Sequence, residues 1–360
     1  IAPAVAVIGF LLIKLEPYRA ARFATFLNPD QSLSTSSYHV RQILIAAVVF
    51  LLLVTAALAQ DNLKRVRITY PEATECCFPI LAAQKWGLFQ QNGLRAEVVL
   101  MQSRLANTAL VSGDVDYVAG VGPNSVSGTL RGMASRAVWF ASTQLGFVLL
   151  VKSEYRQVSD LRGKKIGLPS LGGTTDVALT IALQELGEKR KDFTYLALGG
   201  DLFTALASGA IDAAVLSPPW IFYAEKKGFR KLVQIGNYVQ MPLGGLTTMQ
   251  STMRNRPDEA KRVIRSLQQA QKTMIESPEK SLELISQSLK VERAIAEETF
   301  KLYRETTSAN TGVPTRAGMG RIVEAIQMLG QFTDRKIAFE EIADDGIAKD
   351  VARELGYKVQ

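Results

Sequence analysis

The chain has 360 residues, 47% hydrophobic and 21% charged, with a formal net charge of +8. That length can bury more than one core, so one to three domains are expected. The basic residues are scattered and form no Lys/Arg stripe interleaved with aromatics, which excludes nucleic acid as the expected partner and suits an anionic ligand or surface. His39 is the single histidine, so His-based triads, Cys-His pairs and His-ligated zinc are excluded from residue 61 onward. The two cysteines, Cys76 and Cys77, are adjacent. A trans peptide holds neighbouring Cα atoms about 3.8 Å apart, short of the roughly 5.5 Å usual across a disulfide, so no disulfide framework is implied.

Residues 39–60, HVRQILIAAVVFLLLVTAALAQ, carry a basic Arg41, an unbroken apolar run from Ile43 to Val54, and the small-x-small triplet Ala57-Leu58-Ala59. This is the pattern of a secretory signal peptide over 39–59; the alternative is a retained N-terminal anchor. Upstream, an apolar start is followed by the elements PYR, FLNP and YHV-Q. Residues 1–45 resemble a fragment of the rod-shape and division (SEDS) membrane proteins, and carry no catalytic motif of that family. Residues 1–38 are therefore expected to be an extraneous or fused membrane-like segment.

From residue 61 short β-like runs alternate with helical stretches. VRITYP (66–71) leads to a helix at 79–90, then RAEVVLM (95–101), a helix at 104–111, DYVAG (116–120), a helix at 123–131 and AVWFAS (137–142). After GFVLLVK (146–152) the rhythm restarts with KKIGL (164–168), a helix at 174–187, FTYLAL (193–198), a helix at 201–207, DAAVLS (212–217), a helix at 219–227 and KLVQIG (231–236). This alternation predicts two α/β units built on parallel sheets. From 256 the pattern becomes amphipathic and helical, with Val263, Ile264, Leu267 and Met274 on one face and Pro257 and Pro278 near helix starts.

One local pattern occurs twice. ALVSGDVDYVAGVGPNS (109–125) and ALASGAIDAAVLSPPW (205–220) share Ala-Leu-x-Ser-Gly-x-x-Asp, an apolar run and a Pro/Ser turn. Gly113 and Gly209 suit the left-handed position past a helix end. Asp116 and Asp212 begin strands whose far ends open the next helix. Ligands in open α/β sheets bind beyond the carboxyl ends of strands, and free N–H groups at helix starts favour anions there. Two such loops, one per unit, predict a cleft between lobes; the shared Ser-Gly-x-x-Asp is expected to be scaffold.

The ordered set FPILAAQKWGLFQQNGLRAEVV, ALVSGDVDYVAGVGP, VSDLRGKKIGLPSLGGTTD, ALASGAIDAAVLSPPW, GFRKLVQIG and LGGLTTMQSTMRNRPDEAKRVI carries a resemblance. Residues 64–340 resemble the type II substrate-binding proteins of ABC transporters, in the nitrate/sulfonate/taurine branch that includes the NMT1-like members. The resemblance implies a type II periplasmic-binding-protein fold: two α/β lobes with a ligand cleft between them, and a helical C-terminal part packed on lobe 1. Lobe 1 is expected over 60–148 and 246–360, and lobe 2 over 149–245, with crossings near 147–152 and 240–247. It implies a periplasmic or extracellular receptor, a monomer, that captures a small anionic or polar organic solute (a sulfonate, nitrate, carboxylate or pyrimidine-like molecule) by hinge closure and delivers it to an ABC permease with its ATPase. No cofactor, metal or catalysis is expected. Thiamine-precursor enzymes on this fold use a histidine-rich site, which this chain lacks after His39. A membrane-anchored sensory or scaffold domain is the alternative.

The candidate ligand contacts follow from the loops. PSLGGTTD (169–176) offers Gly172 and Gly173 for close backbone approach and Thr174 and Thr175 as hydroxyls at a helix start; a helix cap on either threonine is the plain alternative. It lacks the GK[ST] ending of a nucleotide phosphate loop. Ser217 and Trp220 follow the second repeated strand, and Asn124 and Ser125 mirror them in the first unit; Trp220 stacks on a ligand or packs in the core. EATECCF (72–78) brings Glu75, Cys76 and Cys77, which suit a cationic group or a pocket floor; a thiol near a helix start can be acidified and reactive, and plain packing of one of the pair is the alternative. Ser103 and Arg104 would place a cation on an anionic ligand; a plain surface arginine is the alternative.

Overall fold

The computed structural model describes residues 63–307 and 311–359. The signal-peptide and fused-segment expectations therefore lie outside the described residues. Residues Lys64–Gln360 form one unit.

Two five-stranded sheets carry this unit. The first combines β1 (Lys64–Tyr70), β2 (Leu94–Leu100), β3 (Tyr117–Ala119), β4 (Ser135–Ser142) and β10 (Leu243–Met249) in the order β2-β1-β3-β10-β4. The second combines β5 (Val148–Val151), β6 (Lys165–Leu168), β7 (Thr194–Ala197), β8 (Ala213–Leu216) and β9 (Arg230–Gln234) in the order β7-β6-β8-β5-β9. The two orders are one pattern. Three parallel strands are followed by an antiparallel strand and then by one that runs with the first three.

That antiparallel strand corrects the expectation of parallel sheets, and its cause is the path of the chain. β5 and β10 are the strands that enter a sheet straight from the other one. The chain then arrives at the carboxyl edge of the parallel strands and must run back against them. Because β5 is buried on both faces, its sequence VLLV does not alternate. Leu149 and Val151 join one apolar cluster and Val148 and Leu150 another.

The connecting helices are α1 (Phe78–Lys85), α2 (Leu88–Gln91), α3 (Ser103–Ser112), α4 (Pro123–Leu130), α5 (Thr174–Glu185), α6 (Leu202–Ala207) and α7 (Trp220–Lys226). The helix expected over 79–90 is two, because Gly87 takes φ 69° and breaks the helix there. The tail contains α8 (Gln250–Asn255), α9 (Pro257–Glu276), α10 (Pro278–Leu289), α11 (Arg293–Thr307), α12 (Arg316–Met328), α13 (Phe339–Ile342) and α14 (Gly346–Glu354). Pro257 and Pro278 stand at the first positions of α9 and α10, where a missing N–H costs nothing.

Val263, Ile264, Leu267 and Met274 of α9 are fully buried against the first sheet, each contributing roughly 1.5–3 kcal/mol of hydrophobic stabilisation. Residues of α10, α11 and α14 join the same core. α12 does more: Met319, Ile322 and Ile326 share a cluster with Val126 of α4 and with Val177 and Ile181 of α5, so this helix touches both lobes.

Candidate functional site

The parallel strands of each sheet end at one edge, and the loops that leave those edges meet each other. From the first sheet come the segments after β1 (71–77), β2 (101–102) and β3 (120–122). From the second come those after β6 (169–173), β7 (198–201) and β8 (217–219). Three glycines record how closely the edges approach. A Cβ placed on Gly122 would overlap Thr174 Oγ1, one on Gly172 would stand 3.4 Å from Asn124 Oδ1, and one on Gly199 would stand 3.7 Å from Gln102 Nε2. Asn124 and the pair Gly172–Gly173, expected as ligand contacts from separate lobes, therefore face each other.

The two walls share a construction. α4 is capped by Gly122 and α5 by Gly173, and neither cap supplies a side-chain hydrogen bond to the helix start. Thr174 and Thr175 are the first two residues of α5, not its cap, which removes the plain alternative for them. Their loop is braced from behind. Gly172 N donates to Asp176 Oδ2 at 2.7 Å, and Arg190, stacked 4.1 Å over the ring of Tyr195, holds Asp176 through both terminal nitrogens. Two uncapped helix starts at one interface leave backbone donors that favour an anion.

The floor is the 72–77 segment, which lies against both crossings between the sheets. A Cβ on Gly146, just before β5, would be 3.4 Å from Glu75 Oε1, and one on Gly244, at the start of β10, would be 2.6 Å from Cys76 Cβ. Gly244 and Gly245 have φ of 68° and 142°, conformations that suit glycine alone, so the close approach is built into the backbone. Gly245 in turn packs on Val121, which continues the floor into the first wall.

Glu75 is 4% exposed. Burial, the neighbouring Cys76 and Glu72 push its carboxyl well above the usual range. Half-buried Glu72 is pushed up to about 7 by desolvation. The thiols of Cys76 and Cys77 are free and 3.4 Å apart. An acidified thiol is not found at Cys77: its hydrogen bond with Cys76 and its burial hold it well above the ordinary value.

The remaining candidates divide by role. Ser125 is buried and donates to Gly120 O at 3.1 Å, so its hydroxyl shapes the loop. Ser103 is half-buried and, with Arg104, opens α3 beside Gln102. Ser217 is half-buried and its carbonyl accepts from Trp220 N at 2.9 Å. Trp220 is half-buried, with its ring stacked on Phe203 at 5.6 Å and 5.9 Å from Tyr223. Sequence reasoning missed Gln102, Gly122 and Leu302 of α11, which packs beside Gly146. The GVGP turn was a signal for Gly122; nothing local marks Leu302. Among the described residues no group of three or more His, Cys, Asp or Glu side chains could hold a metal ion, and no helix is long and apolar enough to cross a membrane.

A family model described as NMT1/THI5 like matches residues 76–281. The chain belongs to this family. It is similar to a Brucella abortus (strain 2308) protein provisionally named as a binding protein, 27% identical over 249 residues, covering 66% of this chain and 75% of that one. Its fold is that of the periplasmic nitrate-binding protein of Synechocystis PCC 6803, with a TM-score of 0.71 at 14% identity, covering 82% of this chain and 90% of that one. The alkanesulfonate-binding protein of Xanthomonas axonopodis pv. citri gives a TM-score of 0.62 at 20% identity, over 80% and 97% of the two chains. The two-lobed type II fold expected from the sequence is thereby established.

Proposed function

We propose that this NMT1/THI5-like chain is a solute receptor of an ABC importer, working outside the cytoplasm and handing its solute to a permease with its ATPase. The observation that carries the reading is the meeting of two carboxyl edges at Gly122 and Thr174, with uncapped helix starts on both sides. A small anionic or polar molecule would sit between Asn124 and the 172–175 loop, over the floor of Glu75 and Cys76. Ser103 and Arg104 would flank the first rim, and Ser217 and Trp220 the second. Cys77 and Ser125 support the floor and the wall. The solute would be bound and released unchanged. Nitrate and an alkanesulfonate, the ligands named for the two structural neighbours, set the starting panel.

The test is a thermal-shift screen of the full chain against nitrate, sulfonates, carboxylates and pyrimidines. A ligand that binds only the folded form adds about 2.7 kcal/mol at a hundredfold excess over its Kd. At least one class should stabilise the protein, and Asn124→Ala should weaken that effect at least tenfold. Undiminished binding by Asn124→Ala and by Gly173→Val would place the site elsewhere.

A further inference from the structure

The lysines and arginines of the second lobe gather at one edge of its sheet. They follow β5, open β6, precede β7 and lie between the end of α7 and the start of β9. The segments at the cleft, 169–173, 198–201 and 217–219, contain none. Backbone contacts tie this amino edge into a continuous row. Gly163 N donates to Asp192 O at 2.8 Å, Thr194 N to Lys164 O at 3.0 Å, Asp212 N to Lys165 O at 2.9 Å and Lys152 N to Asp212 O at 3.3 Å, and Arg230 pairs with Val151 across β9 and β5. Strands about 4.8 Å apart spread such a row over roughly 20 Å.

Pairing leaves the edge basic. Asp212 accepts from Lys152 and Tyr155, Glu188 from two nitrogens of Arg162, and Asp160 from the backbone N–H groups of Arg156 and Gln157. These acids are used within the lobe. Arg156, Lys164, Lys165, Lys189, Lys191 and Arg230 are exposed and form no ion pair among the described residues. The unpaired acids at the same edge are Glu154, Glu185 and Asp192, half as many.

We propose that this basic edge docks the protein on an anionic phospholipid surface and leaves the cleft, at the opposite edge of the same sheet, free to take its solute. The proposal goes beyond the receptor reading and does not depend on which solute the cleft binds. Clustered lysines and arginines are drawn to anionic headgroups, and the attraction fades within a Debye length, about 10 Å at 0.1 M salt. A bilayer asks for no shape complementarity, which suits a spread of exposed side chains, most of them lysines with a compact charge on a flexible stem. Leu186, 37% exposed, stands just before Lys189 and offers an apolar side chain to the headgroup boundary. Nucleic acid bases need aromatic platforms to stack on, and Tyr155 and Phe193, the aromatics of this edge, are buried.

The experiment is co-sedimentation of the full chain with vesicles of phosphatidylcholine alone and of phosphatidylcholine mixed three to one with phosphatidylglycerol. At low salt the wild type should partition onto the mixed vesicles at least about tenfold more strongly, and high salt should abolish the preference. The triple variant Lys164→Glu, Lys189→Glu, Lys191→Glu should cut the preference at least about threefold. The double variant Arg156→Glu, Arg230→Glu should do the same and covers the case in which the triple variant fails to fold. Every variant keeps the apolar run 43–54, so the difference from wild type reads the second lobe alone. Equal partition onto both vesicles, a preference indifferent to salt, or a preference kept by both variants overturns the proposal. Tighter binding to polyglutamate or to a DNA duplex than to the mixed vesicles overturns it as well and gives the edge to that partner. Solute stabilisation measured without vesicles tests the receptor reading by itself, so either can fail while the other stands.

Discussion

Asp116 in the first lobe and Asp212 in the second make the same three attachments. Asp116 N donates to Arg67 O at 2.9 Å while its Oδ2 accepts from Arg67 N at 2.8 Å; Asp212 repeats this with Lys165 at 2.9 and 3.1 Å. The other oxygen of each takes a cation from the segment beyond the antiparallel strand, Arg256 at 3.0 Å and Lys152 at 3.2 Å. The duplicated Ser-Gly-x-x-Asp is therefore a clamp that fixes the start of the third strand to the first. Asp116→Ala and Asp212→Ala should each cost about 1–3 kcal/mol, since each leaves backbone and cationic donors without their acceptor. Urea denaturation measures the loss. Unchanged midpoints in both variants would remove the clamp from the account.

The contact between Gly122 and Thr174 makes closure sensitive to a single methyl group. Gly122 has an extended backbone, with φ −170°, so alanine is unstrained there. Its Cβ would nevertheless overlap Thr174 Oγ1. Gly122→Ala should weaken solute binding at least tenfold while leaving the melting temperature of the empty protein within a few degrees. Adding Thr174→Ala should restore at least part of the affinity, a coupling that a double-mutant cycle reads directly. Additive effects in that cycle would show that the two residues do not meet in the bound state.

The acids of the floor make stability fall as pH rises. Both Glu75 and Glu72 have folded carboxyls raised above the unfolded value, Glu72 to about 7. The stability tied to their neutral forms is fully present below the unfolded value and is lost as pH climbs towards the folded one. Each group can contribute a slope of at most about 1.4 kcal/mol per pH unit. Glu75→Gln should therefore gain on the wild type between pH 5 and pH 8, as measured by denaturation in buffers free of solute. A constant difference across that range would mean that Glu75 is ionised in the folded empty protein.

The lobes were legible because their signals are local and periodic. VRITYP, KKIGL and DAAVLS read as strands from composition alone, and the duplicated motif located both carboxyl edges. The direction of β5 and β10 was not legible, because an apolar run such as VLLV has no sign; only the path between lobes sets it. Asn124, Gly172 and Thr174, candidates for the walls, were singled out from loops that begin helices. Their contact with one another depends on how two distant halves fold back, which no window of sequence contains. Leu302 was invisible for the same reason: an apolar residue on an amphipathic helix looks the same whether it faces a core or a floor.

α12 gives the arrangement a further property. It is contributed by the part of the chain that follows the return to the first lobe, yet Ile322 and Ile326 lie in one apolar cluster with residues of both α4 and α5. α4 and α5 are also the two helices whose starts form the walls. One helix thus bridges the two walls from behind. Separating the walls would strip Ile322 and Ile326 of apolar neighbours on one side or the other and expose that surface to water, so the side chains that stabilise the fold also oppose the parting of Gly122 from Thr174.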